Sequence, residues 1–127
     1  MSTMNVFILI IVMHWIADFI FQAEKWSLGK SKTWSPLLKH TATYSSLWLI
    51  PVWIMTGELI GSLAFVVITF IAHTITDYFT SRVVSKKFAK GYYGSPIPNF
   101  GAFSTIGFDQ VLHYVQLILT WYLLFGM

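Results

Sequence analysis

Apolar residues run along this chain in four long blocks, at about residues 4–22, 36–56, 58–81 and 103–125. Each is close to the ~20 residues a helix needs to cross the hydrocarbon layer of a bilayer. The pattern therefore predicts four spanning helices. Pro36 suits the first turn of the second helix. Pro51 falls inside that helix and predicts a kink of the kind membrane helices tolerate. Gly57 and its neighbours leave only a very short turn before the third block, so the second and third helices are expected to form a tight antiparallel hairpin. No internal repeat is evident.

Composition agrees with lipid as the solvent. Of 127 residues, 56% are hydrophobic, 18% aromatic and only 10% charged, and the mean hydropathy is +0.66. Soluble domains carry about 25% charged residues. A chain this short has too much surface to hide so much apolar side chain in a core. The expected fold class is all-α: an integral membrane four-helix bundle, with residues 1–127 as a single membrane domain. The chain has no cysteine, which excludes disulfides and thiolate metal ligands. The first block has neither a basic leader nor a small-x-small cleavage site, so it reads as a retained helix rather than a signal peptide.

Charge placement gives the topology. All eight Lys and Arg residues gather at two connections. Lys25, Lys30, Lys32 and Lys39 lie at the first; Arg82, Lys86, Lys87 and Lys90 lie at the second. By the positive-inside rule both connections are cytoplasmic, and the N- and C-termini are outside. The expected location is the inner or plasma membrane, as a multi-pass protein. Residues 91–101, rich in Gly, Pro and aromatics, read as an ordered interfacial loop or re-entrant segment.

Within the blocks stand ionisable residues that lipid disfavours. The first carries His14 and Asp18, the third His73 and Asp77, and the fourth Asp109 and His113, while His40 opens the second. Each pair has the i, i+4 spacing that puts both side chains on one helical face. In the two inward-running helices His precedes Asp; in the outward-running fourth, Asp precedes His. The topology thus sets three histidines at one depth and three aspartates roughly 6 Å nearer the cytoplasm, with His40 near the Asp layer. An Asp at a helix centre costs roughly 2.5–3.5 kcal/mol to insert, so such residues usually mark function. His–Asp pairs that only fix helix packing are the bland alternative, and three pairs in one layered arrangement weigh against it.

Imidazole and carboxylate are nitrogen and oxygen ligands for divalent metals, and bundle cores host such sites. The candidate ligands are His14, Asp18, His40, His73, Asp77, Asp109 and His113. Zinc is the expected ion, as one or two per chain, with Mn or Fe as alternatives. Seven ligands exceed the needs of one tetrahedral zinc, so the surplus is open to a second metal, to acid–base work, or to orienting the histidines. Gln22 extends the His14/Asp18 stripe, and Gln110 adjoins Asp109. Lys25, Lys39 and Arg82 lie at the rim, where they suit a phosphate or lipid headgroup or serve as topology anchors alone. Glu24 reads as a solvated rim residue, and Glu58 lies at the far side.

The run from His14 through Trp15, Asp18 and Phe19 to Gln22, with Leu38 to His40, His73/Asp77 and Asp109-Gln110/His113, resembles an uncharacterised family of small bacterial and phage membrane proteins. That family shows H-W-x-x-D-F-x-x-Q, a later H-x-x-x-D, and a closing D-Q-x-x-H. The resemblance covers nearly the whole chain and implies no particular activity. More loosely, the plan resembles the membrane-bound metal-dependent hydrolases, whose D-x-x-x-D-H element this chain lacks.

The leading functional expectation is a metal-dependent hydrolase at the cytoplasmic face, acting on a phosphoester or lipid headgroup. Metal would lower the pKa of a bound water, and Asp18, His40 or Asp109 would take the proton. The alternatives are a divalent-cation or proton transporter using the same residues as a relay, and a non-enzymatic membrane interaction protein. The outer halves of the four blocks hold few polar residues, which counts against transport. The expected partners are membrane lipids and, in a homo-oligomer, further copies of the chain; nucleic acid is not expected.

Overall fold

Helix α1 runs over Thr3–Trp15 and begins where Ser2, in extended backbone, accepts the Asn5 N–H on its hydroxyl at 3.3 Å. The structure, a computed structural model, describes residues 2–90 and 104–126. Residues 91–101, expected to form an ordered loop, lie outside them. Among the described residues all regular structure is helical.

After Trp15 the chain takes a π-helical turn, Ile16–Ile20, in which the Phe21 N–H reaches back to the Ile16 carbonyl at 3.1 Å. Such turns are rare and concentrate at functional sites; this one carries Asp18. A short helix α2, Glu24–Gly29, follows. It lies so close to the next helix that a Cβ on Gly29 would come within 2.7 Å of Pro36 Cγ.

The second apolar block is broken in two, as α3 (Trp34–Ser46) and α4 (Leu49–Thr56). Pro51 has no N–H to offer the Leu47 carbonyl, and its ring crowds that carbonyl. The break falls there, at Leu47 and Trp48. Gly57 ends α4 with a φ of 73°, a left-handed conformation that glycine adopts without a Cβ clash. Helix α5 then runs for 31 residues over Leu59–Ala89, eight beyond the apolar block, because Arg82, Lys86 and Lys87 are good helix formers. Helix α6 covers Ser104–Phe125.

Two stretches, Thr3–Ile20 and Leu59–Lys87, are long and apolar enough to cross a membrane. The four spans expected from the sequence reduce to two on this measure. Its second block is interrupted, and its fourth is diluted by Asp109, Gln110, His113 and Gln116.

The interior has two layers. One is apolar and aromatic: Trp48 packs on Phe65 with ring centres 5.5 Å apart, and Phe65 meets Trp121 edge-on at 6.1 Å. Val6, Ile10, Val52 and Leu117 fill the remaining space. The other layer is polar, with His14, Asp18, His40, His73, Asp77 and His113 all buried. Large aliphatic side chains such as Ile8, Ile11, Ile60, Val67, Ile71 and Ile75 face outward. The molecule is thus apolar outside and polar at one end of its interior.

Candidate metal centre

Four helical segments deliver the candidate ligands of the polar layer. The π turn brings Asp18, α3 brings His40, α5 brings His73 and Asp77 one turn apart, and α6 brings Asp109 and His113. Asp18, His40, His73 and Asp77 each offer one ligand atom to a shared space. His40 Nε2 stands 3.0 Å from Asp18 Oδ1 and 3.2 Å from Asp77 Oδ2. His73 Nε2 stands 3.5 Å from each of the same two oxygens, and the two ring nitrogens are 3.2 Å apart. A tetrahedron with metal–ligand bonds of about 2.0–2.1 Å has edges of about 3.3–3.4 Å. These five separations scatter around that length.

Hydrogen bonding alone does not account for the arrangement. Asp18 Oδ1 has no hydrogen-bond partner although two ring nitrogens lie within 3.5 Å. Two imidazolium rings meeting at Nε2 would repel, so protonating both His40 and His73 is not the remedy for the buried carboxylates. The Nδ1 atoms of these two rings have no partner either. Stacking orients the His73 ring instead: Tyr44 lies on it at 3.9 Å, and it lies on His113 at 4.2 Å.

A second group shares Asp77. Its Oδ1 lies 3.2 Å from His113 Nε2, which is 3.3 Å from Asp109 Oδ2. His14 belongs to neither group. Gln110 donates its amide N–H to Asp109 Oδ2 at 3.1 Å, which turns its carbonyl oxygen toward His14. His14 Nε2–H then donates to that oxygen, and His14 Nδ1 accepts the Tyr44 hydroxyl at 2.7 Å. With both nitrogens engaged, His14 holds neighbours in place rather than offering a free lone pair. Asp18 and His40, two of the groups expected to take a proton, lie inside the four-ligand set; Asp109, the third, lies at a pocket wall.

That pocket, a cavity of about 400 Å³, opens on the centre and is lined by Asp18, Gln22, Asp109 and Gln110 together with Ser27, Lys30 and Ser31. Of the rim residues expected from sequence, Gln22 and Gln110 reach it. Lys25 and Lys39 are exposed on the surface. Arg82 turns back on its own helix, bonding the Tyr78 carbonyl at 3.0 Å and covering the Tyr78 ring at 3.7 Å. The cation that does reach the site is Lys30, with Nζ 3.0 Å from Asp77 Oδ2. Burial alone would lower its pKa, but the carboxylates of Asp77, Asp18 and Asp109 outweigh that and hold it above the usual lysine value. A raised lysine pKa stabilises the fold at every pH below the unfolded value, and the contribution fades only as pH climbs through the folded one. Nothing in the spacing of the sequence singles Lys30 out; the only hint is that two buried carboxylates and a half-buried one need a cation.

Residues 6–127 match the model of the family described as Protein of unknown function (DUF3307). The chain belongs to that family. No curated protein and no solved structure matches it. The family's description assigns no activity, so chemistry has to be read from the centre itself. The sequence motifs converge there: His14 and Gln22 of the first, His73 and Asp77 of the second, and Asp109, Gln110 and His113 of the third.

Proposed function

We propose that this protein is a membrane-embedded, metal-dependent hydrolase that acts on a phosphoester at the cytoplasmic face, with a lipid headgroup as the favoured substrate. The observation that carries the reading is the set of near-tetrahedral separations among Asp18, His40, His73 and Asp77, all buried. A divalent ion there would offset the burial of the carboxylates, which Lys30 alone only partly balances. Zinc fits the nitrogen and oxygen donors, and Mn or Fe fit them too.

Bound metal would supply a water of lowered pKa and a Lewis acid for the phosphoryl oxygen. Water would add to phosphorus as the ester P–O bond breaks, the proton it loses passing to the departing oxygen. Lys30, Ser27, Ser31 and Gln22 present donors to phosphoryl oxygens from the pocket wall. A cavity of about 400 Å³ suits a small headgroup.

The membrane setting, as a four-span bundle with cytoplasmic basic connections, rests on the basic clusters and on outward-facing apolar side chains. The two spanning windows are only 28% and 22% buried within the molecule, whereas the core helix of a soluble protein would be mostly buried. A transport path would have to cross the Trp48, Phe65 and Trp121 layer, so the same residues serve hydrolysis better than conduction.

Metal content of the purified chain, measured by mass spectrometry in wild type and His73→Ala, is the test. The expected result is tightly bound metal in wild type and its loss in the variant. A well-folded wild-type preparation that binds none of Zn²⁺, Mn²⁺ or Fe²⁺ would sink the reading.

A further inference from the structure

We propose that Asp77 bridges two metal ions: a closed one held by Asp18, His40, His73 and Asp77, and an open one held by Asp77, Asp109 and His113 at the pocket wall. The inference rests on the metal-site reading above and says how many ions act and which one meets substrate.

The two oxygens of Asp77 face different groups. Oδ2 is the one near His40 and His73, at 3.2 and 3.5 Å. Oδ1 is the one near His113, at 3.2 Å. A carboxylate that turns one oxygen to each of two ligand groups has the disposition of a bridge, and bridged ions in hydrolytic sites lie about 3.5–4 Å apart. Ligand atoms of Asp77, Asp109 and His113 fall within 4.8 Å of one another, as a second ion requires. Asp109 also keeps Oδ1 buried with no hydrogen-bond partner.

Ligand number separates the roles. Four protein ligands fill a tetrahedral ion, which is the mark of a structural site; three leave a position for water or substrate, which is the mark of a catalytic one. The first set has four members and the second has three. Asp109 of the three-ligand set lines the pocket, as does Asp18 of the four-ligand set, and only the three-ligand ion has a position left to meet what enters it. Asp109 is then a ligand rather than the base, and the water's proton leaves through the pocket.

Charge gives the substrate class. Three carboxylates and the Lys30 ammonium sum to two negative charges, which one divalent ion cancels. A second ion leaves two positive charges, matched by hydroxide together with an anionic phosphoryl group. A neutral amide substrate would leave the centre unbalanced.

The test is reconstitution of the detergent-solubilised full chain with Mn²⁺, counting bound ions by mass spectrometry and recording low-temperature electron paramagnetic resonance. Wild type is expected to hold two ions with a spin-coupled spectrum. Asp109→Asn and, independently, His113→Gln are expected to hold one ion with an uncoupled spectrum and an unchanged helical circular dichroism. Wild type saturating at one ion would overturn the two-ion proposal while leaving the mononuclear reading intact; no bound ion would overturn both. Two ions that stay uncoupled, or that survive both substitutions, would overturn the bridge.

Discussion

His14 and His40 show how little a residue's identity says about its task. Both are buried histidines of the same polar layer, yet His40 turns Nε2 on two carboxylates while His14 spends both nitrogens on Gln110 and Tyr44. Substituting them should give different losses. If His40 is a ligand as proposed, His40→Ala is expected to abolish tight binding at the four-ligand set. His14→Ala removes an orienting group and is expected to weaken binding by about 10–100-fold without changing the number of ions, the usual effect of losing an outer partner. Calorimetric titration of each variant with Zn²⁺ checks this. Equal losses would mean that His14 is itself a ligand.

At the scale of elements, the close approach of α2 to α3 is what sets Lys30 against Asp77. Gly29 leaves room for Pro36, and the residue after it carries the ammonium. Gly29→Val is expected to push α2 outward, break the 3.0 Å contact of Lys30 with Asp77, and raise KM for an anionic phosphoester more than it lowers kcat. Circular dichroism of the variant should stay that of the wild type, since α2 is six residues of a largely helical chain. An unchanged KM would show that Lys30 plays no part in binding. The four apolar helical blocks and the His–Asp pairs were legible in the sequence because apolar length and i, i+4 spacing are local patterns, whereas the six-residue α2 fell in a stretch that read as a connection. The π turn that presents Asp18 was not, because its extra residue leaves no periodic trace in an apolar run. The Pro51 kink was legible as such, but a proline shows its effect one turn earlier, at Leu47 and Trp48. Lys30 was hidden for a related reason. A lysine between helices has no face, and only the fold decides whether it points to water, as Lys32 does, or inward.

For the molecule as a whole, the polar layer is at the end that carries the first basic connection and the pocket, and the Gly57 turn is at the other. The chain has no cysteine of its own, so single substitutions report sidedness cleanly. Lys32→Cys and Glu58→Cys, both at exposed positions, are expected to react with an impermeant maleimide from opposite sides of sealed vesicles, Lys32→Cys from the cytoplasmic side. Labelling of both from one side would break the topology. The pocket wall itself is mixed: Phe19, Leu28, Val84 and Ile106 stand beside Ser27, Ser31, Ser81 and Ser85. An opening with greasy and hydroxylated sides can receive an amphiphile whose tails never leave the leaflet. Pulling a chain out into water costs about 0.8 kcal/mol for each methylene, and a headgroup that merely tips inward avoids that cost. Under the proposed function the search for substrate would run in two dimensions, with encounter governed by surface density in the leaflet rather than by concentration in the cytosol.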